Sequence, residues 1–163
     1  MALTDRSIFK ERQAGQAQGY GLAALPTTGV VADMHRRQRD FAKVGTENAA
    51  TNVAETVMFT VKRKSKVVAV EYTTGTNVAT DNTDYVVFTI SKRTGATATT
   101  VATFNTHGGA QGAITQYIGA DFSVVSNSDS TLAADDILTY TIVKANSGKT
   151  IAIGTITVDL EEV

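Results

Sequence analysis

The residue with the clearest chemical potential is His107, within Asn105-Thr-His-Gly-Gly-Ala-Gln-Gly112. An imidazole beside flexible glycines could act as a general base or a metal ligand. Either role needs partners, but the other histidine, His35, lies far upstream, and neither an HxH nor an HxxxH spacing nor a Ser-His-Asp order is present. The glycines also lack the Lys-Ser/Thr sequence and strand-to-helix context of a phosphate loop. We therefore interpret the segment as a surface loop and predict a protein that is not an enzyme and has no catalytic residues.

A set of aspartates in predicted loops could meet at one end of the molecule: Asp81, Asp84, Asp129, Asp135 and Asp136. Carboxylate oxygens are ligands for Ca²⁺, and a carboxylate pair could hydrolyse glycosides. However, no calcium-loop spacing is present, and aromatic residues make up only 7% of the chain, which leaves few platforms for sugar rings. Aspartate is also common in turns. We expect solvated turn residues, no bound metal and no cofactor.

Two basic runs are candidates for binding an acidic surface. They are Lys62-Arg63-Lys64-Ser65-Lys66 and Arg36-Arg37-Gln38-Arg39. The first could equally be a charged turn that discourages strand pairing at a sheet edge. Residues 1–66 carry 11 Lys and Arg against 6 Asp and Glu, whereas residues 67–163 carry 4 against 10. This asymmetry indicates that the two parts face different surroundings. It does not predict nucleic-acid binding, because no aromatic platform accompanies the basic residues.

The elements that would position these residues are strands. From about Ala54 the chain alternates Val, Ile and Thr with polar residues, and it contains 26 threonines, no cysteine and one proline, Pro26. Such alternation is typical of strands with one buried face. We predict an all-β protein, an antiparallel jelly-roll-like β-sandwich over residues 51–163. Eight strands are expected, at Glu55–Lys62, Lys66–Thr73, Asp84–Lys92, Thr97–Asn105, Ala113–Ile118, Asp121–Ser126, Asp136–Lys144 and Thr150–Leu160. The predicted core side chains include Phe88, Ile90, Tyr140, Ile142 and Val158.

One strand pattern occurs twice. The segments Asp84–Lys92 and Asp136–Lys144 match at an offset of 52 residues, and each continues through a glycine-containing turn into a second alternating run. This predicts the same β-hairpin twice, through duplication or through convergence on similar turn chemistry.

Residues 1–50 differ in composition and are predicted to form an extended N-terminal arm with at most short helices. Helices could span Thr4 or Asp5 to Gln13 and Ala32 to Val44, but neither has enough apolar surface to fold alone. The arm is either a disordered tail or a segment that becomes ordered on a partner. Isolated apolar residues such as Phe9, Tyr20 and Phe41 favour the second interpretation. No secretory signal or transmembrane run is recognisable, so we expect synthesis in the cytoplasm of the producing cell and no membrane association.

A family resemblance lies in the last segment. The phrase Ala133-Ala-Asp-Asp-Ile-Leu-Thr-Tyr-Thr-Ile-Val-Lys144, followed by Ser147-Gly-Lys149 and Ile153-Gly-Thr-Ile-Thr-Val-Asp159, resembles the closing hairpin of head decoration (cement) proteins of tailed bacteriophages. The resemblance extends in style over residues 54–163 and in wording over about 25 residues. It implies a non-enzymatic virion protein that binds the outer capsid surface, commonly as a homotrimer, and staples neighbouring major capsid subunits.

Under that interpretation, the candidate capsid-binding residues are the basic and apolar positions Phe9, Tyr20, Arg36, Arg37, Arg39, Phe41, Lys62, Arg63 and Lys64. Two other functions stay open. The chain could be a β-sandwich adhesion or carbohydrate-binding module, which ordered aromatic residues at one loop end would favour. It could also be another structural component of a phage head or tail.

Overall fold

The protein is an antiparallel β-sandwich, as the alternation predicts. The structure, a computed structural model, describes residues 37–163. The first sheet has the strand order β1-β10-β3-β6, and β8 also pairs with β3. Its strands are β1 Arg37–Val44, β3 Ser65–Thr74, β6 Ala120–Asp121, β8 Thr131–Leu132 and β10 Gly154–Glu162.

The second sheet has the order β2-β9-β4-β5-β7. Its strands are β2 Val53–Thr60, β4 Val86–Thr94, β5 Thr97–Asn105, β7 Ser123–Val124 and β9 Ile137–Lys144. The described part of the chain contains no α-helix, and its one helical element is a 3₁₀ turn at Ser128–Ser130. Six of the predicted strands overlap β2, β3, β4, β5, β9 and β10.

The core lies between the two sheets and is built by alternate residues of each strand. On β4, Val86, Phe88 and Ile90 are completely buried, while the residues between them are half-buried on the outer face. The predicted core residues Tyr140, Ile142 and Val158 are likewise buried. Phe88 packs against the rings of Tyr72, Phe104 and Phe122, with centroids 5.0, 6.3 and 6.0 Å away. These aromatic contacts join the two sheets at the centre of the molecule.

The prediction of a repeated hairpin is only half right. β4 and β5 form a hairpin, and its turn includes Gly95 with a φ of +62°. In contrast, β9 and β10 belong to different sheets, so the second match is not a hairpin. The two similar segments instead pair with each other, β4 antiparallel to β9, with Phe88 opposite Ile142. Alternation defines the buried face of a strand but does not define its sheet.

The predicted strand at Ala113–Ile118 is wrong. In this segment only Ile114 makes a bridge, with Val78, and a turn follows. The predicted strand at Asp121–Ser126 is divided between the sheets, because β6 pairs with β3 and β7 pairs with β5. Phe122 lies between them and is buried against Phe88 and Phe104. Burial of this ring is favourable where the chain crosses from one sheet to the other.

The predicted helix at Ala32–Val44 is wrong over its described part, which forms β1. Arg39 lies beside Asp159, and Lys43 lies beside Gly154 and Thr155, so β1 runs antiparallel to β10. Val44 is completely buried. The compact unit Gln38–Val163 therefore begins inside the segment that we predicted as an arm. The other predicted helix, from Thr4 to Gln13, lies outside the described residues.

Candidate docking surface

The structure places the basic run Lys62–Lys64 at the end of the first sheet where β1 begins. The β2–β3 turn contains Lys62, Arg63 and Lys64, and the next residue, Ser65, pairs with Glu162 at the end of β10. The amide of Val163 also donates a hydrogen bond to the Lys64 carbonyl, at 3.3 Å. Because β1 runs antiparallel to β10, β1 starts at the end of the sheet where β10 ends. We call the surface formed by Lys62, Arg63 and Lys64 the basic end, and β1 begins beside it.

The three residues of the basic end and Arg39 on β1 are exposed, but their charges are compensated to different degrees. Arg39 donates two hydrogen bonds to the Asp159 carboxylate, at 2.6 and 2.7 Å, and this contact raises the pKa of the guanidinium. Arg63 lies 3.5 Å from a Glu162 oxygen. Within residues 37–163, no carboxylate lies within ion-pair distance of Lys62 or Lys64. These two ammonium groups are therefore available to a partner.

The other predicted binding residues lie on β1 or precede it in the sequence. Phe41 lies on β1 and is 68% exposed. Arg37 is the first residue of β1. Phe9, Tyr20 and Arg36 lie outside the described residues. β1, which residues 1–36 precede in the sequence, begins beside the basic end.

A groove of about 570 Å³ opens beside Lys64, lined in addition by the end of β4 and by residues between Ser128 and Asp136. The charged groups of two lining residues, Lys92 and Asp136, are engaged in structural hydrogen bonds. The Lys92 ammonium donates to the carbonyls of Ser128 and Thr131, at 3.3 and 2.8 Å. The buried Asp136 carboxylate accepts from the Thr94 hydroxyl at 2.7 Å and from the Ala133 amide at 2.8 Å. The groove therefore presents an apolar floor beside a basic rim.

His107 lies at the opposite end of β4 from this groove, in the loop after β5. Its backbone amide donates to the Asn105 side chain, at 2.8 Å, and its ring packs edge-on against Tyr85 with centroids 4.9 Å apart. Nearby, the Asp81 carboxylate accepts a hydrogen bond from the Lys149 ammonium at 2.9 Å and from the Thr83 and Asp84 amides. These contacts hold the pKa of Asp81 well below its usual range. The polar groups of this loop end organise the backbone.

The five aspartates do not converge. Asp81 and Asp84 lie beside the start of β4, whereas Asp136 bonds Thr94 at its end. A strand of this length spans roughly 27 Å, which separates the two groups. Among residues 37–163, no cluster of three or more His, Asp or Glu side chains is placed to hold a metal ion.

No protein-family model, curated protein or solved structure matches this chain. Among the residues that the structure describes, no helix has the length and hydrophobicity needed to cross a bilayer.

Two features of the site region were not predicted from the sequence. Lys144 is buried at the end of β9, and its ammonium donates to the carbonyls of Glu47, at 3.2 Å, and Asn48. Burial lowers the pKa of this lysine. The hydrogen bonds fix the connection between β1 and β2, and thus the position of both strands. The local sequence around a lysine at the end of a β-strand does not indicate that it holds a distant loop. The accepting carbonyls are about a hundred residues away in sequence.

The second feature is an exposed apolar tip at the end of the first sheet opposite the basic end. Tyr117 is 76% exposed and Ile118 is 60% exposed. The Tyr117 amide donates to the Thr74 carbonyl, and its ring lies against Gly75. Tyr117 also has a φ of +59°, which is unusual for a residue with a bulky side chain. We did not predict this apolar tip from the sequence, because we interpreted Ala113–Ile118 as a strand.

Proposed function

We propose that this chain is a non-enzymatic structural protein of a tailed-phage virion, which binds the outer surface of the capsid and staples neighbouring major capsid subunits. The observation that carries the proposal is the basic end. It combines Lys62 and Lys64, which form no ion pair within residues 37–163, with the start of β1, the strand that residues 1–36 precede in the sequence. The resemblance of the last segment to head decoration proteins supports the same function.

The basic end suits attachment to an acidic protein surface. Exposed lysines attract carboxylates over a distance of about 10 Å at moderate ionic strength, so they guide the first encounter. Residues 1–36 can add contacts on neighbouring subunits once the sandwich is docked. Linked contacts of this kind hold more tightly than either contact alone, because the second binding event becomes intramolecular. In this proposal the partner is the major capsid protein, and the site of action is the virion surface.

A binding experiment tests this function. Capsids assembled from the major capsid protein of the same virus, without this chain, are mixed with the purified protein and pelleted by centrifugation. We expect the protein to pellet at a saturable ratio to capsid subunits and to raise the temperature at which the particles break. A protein that stays in the supernatant at every ratio would contradict the proposal.

A second function is favoured by the apolar tip. The exposed ring of Tyr117 is an ordered aromatic residue at a loop end, the feature expected of a carbohydrate-binding module. The backbone amide of the preceding residue, Gln116, donates to the Asn77 side chain at 2.7 Å, and this bond fixes the backbone beside Tyr117. Glycan-array binding that Tyr117→Ala abolishes, together with no capsid binding, would favour this alternative over the capsid function.

A further inference from the structure

The groove at the basic end has walls that hydrogen bonds hold in place. One wall is the segment 128–136, which begins with a 3₁₀ turn in which the Ser130 hydroxyl donates to the Asn127 carbonyl at 2.9 Å. The segment is fastened beside the basic end, because the Asp135 amide donates to the Val61 carbonyl at 2.8 Å. Asp135 has a φ of +70°, which is uncommon for a residue other than glycine. A ligand would therefore meet a groove that is already formed, and this reduces the entropy lost on binding.

The charges of the groove favour an anion. Lys64 forms no ion pair within residues 37–163, and the hydrogen bonds of Lys92 go to backbone carbonyls, which carry no formal charge. Among the described lining residues the carboxylate is that of Asp136, and each of its two oxygens already accepts a hydrogen bond from the protein. Two positive charges thus stand against one negative charge, and a carboxylate of a ligand can compensate Lys64.

The uncharged part of the lining favours a peptide over other anions. Ala133 and Ala134 are exposed and carry only methyl groups, so the main chain of an extended ligand can approach closely. None of the described lining residues is aromatic, so a nucleotide base would find no ring on which to stack. Arginine, whose planar fork matches phosphate best, is also absent from this lining.

From these observations we propose that the groove binds an extended acidic segment of a partner protein. A carboxylate of the segment lies at Lys64, and an apolar side chain two residues away lies on Ala133 and Ala134. The two side chains reach the same wall because alternate residues of an extended chain point to the same side. The identity of the partner as the major capsid protein rests on the proposed function, whereas the acidic and apolar character of the segment rests on the groove.

Fluorescence anisotropy with the full chain and a labelled peptide tests the proposal without any particle. The probe is Gly-Ser-Glu-Ser-Leu-Ser-Gly, and the control peptide has lysine in place of the glutamate. We expect the parent to bind the acidic peptide at least about tenfold more tightly than the control, because Lys64 attracts one and repels the other.

A matched pair of substitutions locates the binding site. Ala134→Phe fills the groove without changing its charge, and Ala110→Phe places the same ring in the exposed loop after β5, at the opposite end of β4. Ala134→Phe should weaken binding of the acidic peptide at least about tenfold, because the ring occupies the space of the ligand. Ala110→Phe should bind the peptide like the parent.

Equal binding of the two peptides by the parent, or full binding of the acidic peptide by Ala134→Phe, would overturn the proposal. Thermal melting verifies that each variant is folded. If Ala134→Phe does not fold, amide NMR shifts of the parent take its place: shifts on adding the acidic peptide should centre on Lys64 and residues 131–134, and shifts centred elsewhere would reject the groove.

Capsid pelleting separates this proposal from the capsid function. If the parent and Ala134→Phe pellet equally well with capsids, the capsid function stands and the groove is not its docking site. If the parent binds the acidic peptide but no capsids, the groove binds acidic segments and the major capsid protein is rejected as the partner.

Discussion

Glu55 on β2 and Arg93 on β4 meet across β9, although β2 and β4 are not neighbours in the sheet. The Arg93 Nε donates to a Glu55 oxygen at 2.7 Å, and an Nη donates to the other oxygen. The Thr139 hydroxyl, on the strand between them, also donates to Glu55, at 2.7 Å. The carboxylate therefore ties the edge strand β2 to the middle of the sheet. Hydrogen bonds from Arg93 and then Thr139 lower the pKa of Glu55 from 4.5 to about 2.

The first prediction concerns acid stability. A carboxyl group whose pKa is lower in the folded protein stabilises the fold above its unfolded pKa, and this contribution is lost as the pH falls through the folded value. The stability difference between the parent and Glu55→Gln should thus be constant from pH 7 to about 5 and should shrink between pH 4.5 and about 2. Urea unfolding of the parent and of Glu55→Gln at each pH in this range measures the difference in stability. A difference that does not change with pH would show that the contact of Glu55 with Arg93 is not coupled to folding.

The second prediction concerns the loop that Lys144 fixes. Gly148 has a φ of +58°, and a Cβ there would lie 2.4 Å from the Ala49 carbonyl and 2.6 Å from the Lys144 Cβ. Gly95 has a similar φ of +62°, but a Cβ there would meet no atom within 4 Å. Gly95→Ala should cost about 1–2 kcal/mol, the penalty of the left-handed conformation. Gly148→Ala should cost about 1–3 kcal/mol more, because a backbone carbonyl must also move.

Urea unfolding of the two glycine variants gives these costs directly. Equal destabilisation by Gly148→Ala and Gly95→Ala would mean that the β1–β2 connection moves away from the new side chain without a cost in unfolding free energy. In that case the buried Lys144 would not hold it against the end of β9.

The third prediction separates the role of residues 1–36 from that of β1. A chain without residues 1–36 retains β1 and should unfold at the same urea concentration as the parent. A chain without residues 1–45 also loses the buried Val44 and the Arg39–Asp159 pair, so its unfolding free energy should fall by about 2 kcal/mol or more. Both truncated chains should bind capsids more weakly than the parent. Capsid binding by the shorter truncation at full strength would assign docking to the sandwich alone.

The alternation of apolar and polar residues was sufficient to identify the strands that bury one face against the core. Phe88 and Ile90 were assigned to the core because each is flanked by polar or smaller residues, and this pattern is visible without knowledge of the partner strand. β1 could not be identified in the same way. Its outward residues are Arg39, Phe41 and Lys43, and it is held by β10, about 120 residues away in sequence. Local sequence therefore carried no signal of its pairing.

The candidate site was predictable in its residues but not in its geometry. The basic character of Lys62–Lys64 was evident, yet their position beside the start of β1 depends on the antiparallel pairing of β10 with both β1 and β3. The alignment of three threonines across the second sheet was hidden for the same reason. Thr89, Thr103 and Thr141 are far apart along the chain, and only the register of three strands makes them a row.

The most direct measurement of the central claim is the affinity for capsids of Lys64→Glu compared with Lys43→Glu. Both substitutions reverse one exposed lysine, but Lys64 lies at the basic end and Lys43 lies beside Gly154 at the other end of β1. We predict that Lys64→Glu weakens capsid binding at least about tenfold at low salt, and less at high salt, because screening reduces the lost attraction. Lys43→Glu should bind like the parent. Equal affinities of Lys64→Glu and the parent would contradict docking through the basic end.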